Sequence, residues 1–331
     1  MKSPAIEDID ARADRWPGAD VAAAFAEAVE SGRLNLPLPG CGRTRERWDA
    51  LADLAGEDLS LARLAEGHAD ALAILAELGA LAPPAGSRWG VWAAQPPGLG
   101  LAASRGEAGW RLDGTKQYCS GAHSCTDALV TATAPDGIRL FAVGARDLWP
   151  VPGSWPTTGM AASDTLDVRF DDIAAEPVGA PGSYIHRPGF AHGGAGVAAC
   201  WYGGAREVGR TLLTVAAQRD VGPHALAHLG AVDIALSTAK TVLDQAAAEI
   251  DADPDDRGGG GLRTLRVRAL VEATCTEVMN RVGRALGAGP LCHDEAHSRR
   301  VADLTVYIRQ HHAERNLAEL GKLVADGGVS W

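Results

Sequence analysis

The spacing of apolar residues changes twice along this chain of 331 residues, and that change limits the possible fold more than any single motif does. Apolar residues recur at helical spacing over residues 20–80, and Pro83-Pro84 then stops helix formation. From about Trp89 the period is two, as expected of strands, and from about Gly189 it is helical again. The strand candidates are 109–112, 115–119, 128–133, 138–143 and 165–170. This order predicts an α+β chain.

Four helices are predicted in the last segment, over about residues 195–218, 224–251, 262–286 and 294–325. Long amphipathic helices with short connections are typical of a bundle. We therefore predict three domains: a shortened N-terminal helical domain at 1–88, a small β domain at 89–188 and a C-terminal four-helix bundle at 189–331.

The composition excludes several classes of function. The net charge is −11 and no run of Lys or Arg forms a basic patch, so a nucleic-acid partner is not expected. Met1–Asp20 is polar and acidic, unlike a secretory signal, and no apolar run reaches the ~20 residues of a membrane span. The 6 cysteines include no C-x-x-C pair, and His224 with His228 are too few ligands for zinc. We expect a cytoplasmic protein with reduced thiols and no metal site.

Two segments of the β region combine an aromatic residue with hydroxyl groups. In Gly109–Gly121, Asp113-Gly114 between two strand-like runs predicts a hairpin. Tyr118 and Ser120 after it are expected on one strand face, because side chains alternate with period two. A flat aromatic beside a hydroxyl donor suits a planar cofactor with polar edges. The alternative is a half-buried strand tyrosine and a turn serine.

The second segment is Gly159–Ile173, a turn of small residues that contains Ser163, followed by a strand with apolar residues at 166, 168 and 170. Taken in order, the two segments resemble the acyl-CoA dehydrogenase superfamily. Its β domain carries a G-x-K-x-W/Y-x-T/S element and later a G-x-x-x-S-x-T-x-x-V-x-F-x-D-V element. The resemblance covers roughly residues 60–325 and implies an α–β–α enzyme that binds FAD.

The resemblance also implies roles for particular residues. Tyr118 matches the position that lies against the flavin ring, and Ser120 the hydroxyl that bonds its N5/O4 edge; Ser163 in the second element is also assigned to the cofactor. Arg219 is similar to the arginine of an R-x-x-F-G element that reaches the FAD pyrophosphate of a neighbouring subunit, although here the element is one residue shorter and lacks the aromatic. Its alternative is a solvated arginine at a helix end.

Gly287-Ala288-Gly289 resembles a later G-G-x-G turn that approaches the flavin of a partner subunit, and small residues permit such an approach. The alternative is a simple helix terminator.

The glutamate that serves the superfamily as catalytic base has no counterpart here. Matching Asp303 to the aspartate of the superfamily's R-D-A element places His311 at the base position. The minority location of the base, on the first bundle helix, corresponds to His192. A histidine titrates near neutral pH and can move protons. The alternative is that His311 and His312 lie on a polar helix face.

The sequence therefore predicts an FAD-linked oxidoreductase that acts on an acyl thioester, such as an acyl-CoA, or a related small organic substrate, through a non-standard base. The missing glutamate favours a first alternative, a flavin-dependent monooxygenase of the same fold. The shortened N-terminal part favours a second, a non-catalytic subunit of a hetero-oligomer with a related chain. The resemblance implies a homodimer or homotetramer formed through the helices after residue 189, whose apolar faces include Leu226, Leu229, Ala231 and Leu236.

Overall fold

The computed structural model describes residues 18–96, 98, 100–256 and 258–328. The prediction that Met1–Asp20 is not a secretory signal therefore concerns mostly residues 1–17, which lie outside the described residues. The described chain forms two compact units. The sheet unit comprises the described residues up to Asn35 with Arg63–Thr157 and Ala161–His186, and the helical unit comprises Leu36–Ala62, Thr158–Met160 and the described residues from Arg187 onward. The three-domain division of the sequence stays a prediction.

Helices precede and follow the strands, which confirms the predicted α+β class. In chain order the elements are helices α1 (Ala19–Glu30), α2 (Thr44–Glu57) and α3 (Leu59–Glu77), strands β1 (Trp89–Trp92), β2 (Leu101–Gly106), β3 (Gly109–Cys119), β4 (Asp127–Ala134), β5 (Gly137–Gly144), β6 (Trp149–Pro150) and β7 (Leu166–Val178), and helices α4 (Ser183–His186), α5 (Pro188–Gln218), α6 (Gly222–Ala252), α7 (Gly260–Leu286), α8 (Gly289–His293), α9 (Glu295–Tyr307) and α10 (Glu314–Leu323).

The strands of the sheet unit close into a ring. Strand β4 pairs with β2, β2 with β3, β3 with β7 and β7 with β5, and β5 pairs again with β4. Strand β1 lies parallel to β4, and the short β6 pairs with β7. Closure leaves few strand edges unpaired, which protects a sheet from association with other chains.

The hairpin predicted at Asp113-Gly114 is wrong. Both residues lie inside β3, where its register against β7 shifts between Leu112 and Gly114. Gly114 has a φ of +124°, and a Cβ there would lie 2.4 Å from the Gly100 carbonyl oxygen, so a glycine is required. The hairpin lies earlier, where Gly106 pairs with Gly109 between β2 and β3. An Asp-Gly pair suits a bulge as well as a turn, and the sequence alone does not separate the two.

Helix α3 supplies one wall of the core of the sheet unit. Its residues Ala71, Ile74 and Leu75 are buried and recur at the spacing of one helix face. They pack in one cluster with residues of four strands, namely Trp89, Leu129, Leu140 and Val178. Burying each large apolar side chain stabilises the fold by roughly 1.5–3 kcal/mol.

The helical unit is built on three long helices. Helices α5 and α6 have 31 residues each and α7 has 27. The single helix predicted over 294–325 is wrong. The helix is interrupted between α9 and α10, and Ala313, the residue before α10, has a φ of +41°. By length and composition α6 could cross a membrane, but one such helix, with 17% of its most apolar stretch buried, is weak evidence for a span.

Helices α2 and α5 approach each other closely at Gly203. A Cβ at this position would lie 2.1 Å from the carbonyl oxygen of Ala52. The neighbouring atoms are backbone atoms, which cannot move aside without shifting a whole helix.

We expect Gly203→Ala to lower the free energy of unfolding by roughly 1–3 kcal/mol, the usual cost of overpacking. Gly283→Ala is the matched control, because Gly283 also lies in a long helix, and a Cβ there would meet no atom of the described residues within 4 Å. Removing that helical glycine should stabilise the protein by about 0.5–1 kcal/mol. Denaturant unfolding of both variants measures the difference; equal effects would contradict the close approach of α2 and α5.

Candidate functional site

Tyr118 presents an aromatic ring at the end of β3. Its side chain is 54% exposed, and the ring meets that of Trp155 edge-on with 6.3 Å between the centroids. The φ of Tyr118 is +59°, which a bulky L-residue rarely adopts. Backbone strain of this kind costs on the order of 1–3 kcal/mol and clusters at functional sites. The strain here turns a large aromatic outward from the sheet.

The prediction that Tyr118 and Ser120 share one strand face is wrong. The register of β3 against β7 shifts between Lys116 and Cys119, and this irregularity interrupts the alternation of side chains. Strand β3 ends at Cys119, and Ser120 lies buried in the turn that follows. The carbonyl oxygen of Ser120 accepts a hydrogen bond from Trp92 Nε1 at 2.9 Å. The tyrosine is therefore exposed while the serine is held inside.

The structure does bring the two predicted cofactor serines together. The hydroxyls of Ser120 and Ser163 each lie 2.8 Å from Thr165 Oγ1, and we call these three residues the hydroxyl cluster. All three are buried. The backbone N–H of Gly121 donates to the Ser163 carbonyl at 3.0 Å, which fixes the two turns against each other. Thr165, which joins the two serines, was not singled out from the sequence, although it is the threonine of the second motif.

Asp164 lies within this contact and binds a histidine. It is buried, has a φ of +49°, and accepts a hydrogen bond from the backbone N–H of His123 at 2.5 Å. Its other carboxylate oxygen lies 2.8 Å from His123 Nδ1. Sequence reasoning named neither residue, because the contact joins two turns 41 positions apart and no local pattern indicates it.

Lys116, the lysine of the first motif, anchors β3 to β4. Its Nζ is buried and donates to the carbonyl and to the hydroxyl oxygen of Thr131, both at 2.8 Å. Burial lowers the pKa of this amine to about 8. The lysine therefore holds the strand that carries Tyr118.

His311 lies in the helical unit, directly after the 3₁₀ turn Ile308–Gln310 that follows α9. It is 4% exposed, so it does not lie on a polar helix face, whereas His312 is exposed. Neither ring nitrogen has a hydrogen-bond partner among the described residues. Burial, followed by the charge of Arg268, lowers the pKa of His311, which favours a neutral imidazole.

His192 is buried in α5 of the same unit. Its Nε2 lies 2.8 Å from the carbonyl oxygen of Pro254 and must donate, because a carbonyl only accepts. Its Nδ1 is buried and has no partner within the described chain. Among the buried histidines of this unit, His192 and His311 thus carry unsatisfied ring nitrogens.

Arg268 of α7 connects the regions of the two histidines. It donates to the carbonyl oxygens of Gly194 and Gln310, both at 2.8 Å. Its guanidinium also lies 4.6 Å from the ring centroid of Trp201, a cation–π contact. The arginine therefore fixes the backbone beside His311 relative to the first turns of α5.

The remaining predicted cofactor residues lie on the surface of the helical unit. Arg219 is exposed directly after α5, Gly287 ends α7 with a φ of +67°, and Gly289 begins α8 in an exposed position. Gly287 closes a helix as glycines commonly do. Among the described residues, no group of three or more His, Cys, Asp or Glu side chains is arranged to hold a metal ion.

Comparison with known proteins gives a fold and no sequence relative. No protein-family model matches the chain, and no curated protein matches it. Among solved structures, TdsC, a dibenzothiophene monooxygenase from Paenibacillus sp. A11-2, in complex with FMN and indole, is 17% identical, with a TM-score of 0.73 over 93% of this chain and 95% of that chain. Nitrososynthase from Micromonospora carbonacea var. africana is 22% identical, with a TM-score of 0.74 over 98% of this chain and 94% of that chain. Methanesulfinate monooxygenase MsuC from Pseudomonas fluorescens is 16% identical, with a TM-score of 0.74 over 100% of this chain and 99% of that chain.

The ring nitrogens of His311, which have no hydrogen-bond partner among the described residues, give a prediction about stability. Replacing them by apolar groups in His311→Leu should raise the free energy of unfolding by about 1 kcal/mol, since an unsatisfied buried polar group costs about 1–3 kcal/mol. His297→Leu is the matched control, because buried His297 Nδ1 lies 2.9 Å from Thr211 Oγ1, and its loss leaves that hydroxyl without this partner. This variant should be destabilised by a similar amount.

The same comparison has a pH dependence. The pKa of His311 is lower in the folded protein than in the unfolded chain, so the folded protein loses stability as pH falls from the ordinary histidine pKa of about 6.5 through the lower pKa of the folded state. The His311→Leu variant should lack that part of the loss. Denaturant unfolding at pH 7.5 and pH 5.5 measures both effects; equal destabilisation by the two substitutions would contradict an unpaired His311.

Proposed function

The chain has the fold of the acyl-CoA dehydrogenase superfamily, and on that premise we propose that it is a flavin-dependent monooxygenase that receives a reduced flavin and reacts with oxygen. The observation that carries the proposal is the burial of His311, the residue that the motif alignment of the sequence matches to the catalytic glutamate of a dehydrogenase; burial also lowers its pKa. The compared proteins, of which two are monooxygenases and one was solved with FMN, support the same choice.

The sheet unit fits a flavin. Tyr118 offers an exposed ring, held in place by Trp155 and by a strained backbone. Ser120, two positions further along the chain, belongs to the hydroxyl cluster, whose polar groups are already fixed by hydrogen bonds. Aromatic area and well-placed donors are the two features that a flavin ring requires of a protein. Stacking on Tyr118 with Ser120 at the polar edge is therefore the binding mode that we infer, and Ser163, which is 0% exposed, supports Ser120 through Thr165.

Bound reduced flavin would supply the two electrons that oxygen activation requires. The residues of this chain would hold and orient the flavin and transfer protons. The hydroxyl cluster orients its own O–H groups through Thr165, so little ordering is left for the moment of binding. His311 is a neutral base at neutral pH and can accept a proton from a substrate, and Arg268 holds the backbone next to it.

The carboxylates considered as a base in place of His311 give a dehydrogenase mechanism little support. Glu272, whose charge acts on the pKa of His311, is paired with Arg309. Glu314 begins α10 in an exposed position. Asp303 is buried, but it accepts the backbone N–H of Met160 at 2.5 Å, and burial raises its pKa to about 6. That carboxylate serves the local structure. The removal of an α-proton from an acyl thioester would therefore fall to a histidine, which carries the opposite charge when protonated.

The choice between FAD and FMN is part of the proposal. FAD was predicted from the sequence, with Arg219 as the residue that would reach its pyrophosphate and Gly287 and Gly289 as the turn that would approach the flavin, each from a neighbouring subunit. The short Arg219 segment without an aromatic, and the FMN bound to TdsC, favour FMN for this chain. The substrate that we propose is a small organic molecule.

Tyr118→Ala should weaken binding of reduced FMN by about tenfold or more, because the stack loses a large aromatic surface that contributes roughly 1–3 kcal/mol. Ile138→Ala is the control, since Ile138 is a large exposed apolar residue of the same unit, 41% exposed on β5. Anaerobic titration with oxidised and reduced FMN and FAD, followed by absorbance, gives the affinities. Exposure to air should then give rapid reoxidation.

Three results would contradict parts of this proposal. Rapid flavin reduction by saturated acyl-CoAs would instead support the dehydrogenase activity predicted from the sequence. Tight FAD binding that is lost in Arg219→Ala would show that the cofactor is FAD and not FMN. A chain that binds no flavin and co-purifies with a related glutamate-bearing chain would instead be a non-catalytic subunit.

We also propose that the helical unit forms a homo-oligomer through α6 and the neighbouring end of α5. Leu213, Leu226 and Ile234 are 53%, 52% and 69% exposed. Exposed apolar residues this large, repeated at helical spacing, indicate a surface that another chain covers. Of the residues predicted from the sequence, Leu226 is exposed, whereas Leu229, Ala231 and Leu236 are partly buried.

Replacing both Leu226 and Ile234 by Asp should convert the oligomer to monomer, because two charges would be buried in an apolar contact. Light scattering at micromolar concentration measures the mass against the 34.3 kDa of the chain. Substituting the exposed Leu81, which is 93% exposed in the sheet unit, is the control and should leave the mass unchanged. A monomeric wild type would contradict the proposal.

A further inference from the structure

The pairing of β3 with β7 is irregular at the residue proposed to stack on the flavin. Between the last two strand pairs of this contact, two residues of β3, Gln117 and Tyr118, lie opposite a single residue of β7, Asp167. This two-against-one arrangement is a β-bulge, which bends a strand and redirects a side chain. Tyr118 is the second residue of the bulge and has the φ of +59°. Asp167 is therefore the residue of β7 that lies opposite the strained tyrosine in the strand register.

The backbone of Asp167 bonds to the segment 151–154, which follows β6. Its N–H donates to the Ser154 hydroxyl at 2.8 Å, and its carbonyl oxygen accepts the backbone N–H of Val151 at 2.7 Å. The Ser154 hydroxyl donates in turn to the Val151 carbonyl at 2.7 Å. These bonds continue the pairing of β6 with β7 and fix the segment 151–154 against Asp167.

The side chain of Asp167 bonds to the bulge itself. Its Oδ2 accepts a hydrogen bond from Gln117 Nε2 at 3.3 Å, and both residues are partly buried, so water competes less for this bond than at an exposed site. Gln117 is followed directly by Tyr118, and Ser154 is followed directly by Trp155. The rings of Tyr118 and Trp155 meet at 90° with 6.3 Å between their centroids. Asp167 therefore holds the residue that precedes each of the two rings.

We propose that Asp167 is a positioning residue of the flavin site: by holding Gln117 and Ser154, it fixes the orientation of Tyr118 against Trp155. The inference rests on the flavin site proposed above, where the flavin stacks on Tyr118. A ring that is already fixed loses less conformational freedom when a ligand binds, and this raises the affinity. Asp167 acts through Tyr118 and as a hydrogen-bond acceptor, because an acceptor is all that the Gln117 amide requires. The charge of the carboxylate has no part in this role.

The effect of Asp167 on Tyr118 can be tested without any flavin, by fluorine NMR of protein labelled with 3-fluorotyrosine. The chain has 4 tyrosines, and Tyr118→Phe identifies the resonance of Tyr118. The aromatic ring of Trp155 shifts this resonance, so Trp155→Leu should move it toward the position of free fluorotyrosine. Asp167→Ala should move it in the same direction, whereas Asp167→Asn should leave it in place, because the amide oxygen still accepts the Gln117 N–H.

Two further variants complete this experiment. Gln117→Ala removes the same hydrogen bond from the other side and should move the Tyr118 resonance as Asp167→Ala does; it also carries the test if Asp167→Ala does not fold. Asp171→Ala is the matched control and should leave the resonance unchanged, because Asp171 is exposed on the same strand and its side chain has no hydrogen bond or ion pair among the described residues. A Tyr118 resonance at the wild-type position in both Asp167→Ala and Gln117→Ala would overturn the inference.

Anaerobic titration with reduced FMN tests the consequence for the flavin. Asp167→Ala should weaken binding by roughly threefold to tenfold, the scale of one hydrogen bond, whereas Asp167→Asn and Asp171→Ala should bind like the wild type. In a protein that already carries Tyr118→Ala, Asp167→Ala should cause no further loss, because a residue that acts through Tyr118 then has nothing to position. An equal loss in both backgrounds would overturn the positioning role.

The two measurements separate this inference from the proposed function. A wild type that binds no reduced flavin would refute the proposed function and the flavin part of this inference, while the fluorine spectrum still decides whether Asp167 holds Tyr118. Flavin binding that is as weak in Asp167→Asn as in Asp167→Ala would show that the carboxylate acts by its charge. That result would overturn the inference and leave the proposed function standing.

Discussion

Two backbone hydrogen bonds, from Gly121 N to the Ser163 carbonyl and from Ala122 N to the Asp164 carbonyl, are the constraint on which the candidate site depends. They join the turn that follows β3 to the turn that precedes β7, next to the last strand pair, Cys119 with Leu166. Without them the hydroxyls of Ser120 and Ser163 would belong to separate turns. The site is therefore a consequence of this contact between two turns, and the positive φ values of Tyr118 and Asp164 are a local cost at the same place.

The helical unit keeps several polar side chains buried among packed helices. Arg268 bonds two carbonyl oxygens and covers the Trp201 ring, so its charge is well compensated. His311 receives no such compensation from the described residues. An unpaired buried imidazole is unfavourable for folding, and retaining one is understandable if its partner is the molecule on which the protein acts.

The sequence predicted the architecture well because periodicity reports burial directly. Helices α5, α6 and α7 lie where the 3.6-residue period indicated, and the ordered motif pair led to the superfamily whose fold the chain has. The hairpin at Asp113-Gly114 was wrong because a bulge and a turn use the same residues. Tyr118 and Ser120 were placed on one face because period-two reasoning cannot foresee a register shift.

The candidate site could be predicted only in part from the sequence, because tertiary contacts assemble it. Ser163 and Ser120 were singled out through motifs, but their meeting at Thr165, and the pair of His123 with Asp164, come from tertiary contacts about 40 positions apart. The burial of His311 likewise depends on helices packed around it, so the sequence left open a polar helix face that the structure excludes.

Hydrogen–deuterium exchange of the intact protein, with and without saturating reduced FMN under anaerobic conditions, tests the central claim most directly. The account predicts slower amide exchange in two segments together, residues 118–126 and 161–166, because a flavin held at the β3–β7 contact stabilises both turns at once. Protection of neither segment, or protection restricted to other parts of the chain, would contradict the assignment of this contact as the flavin site.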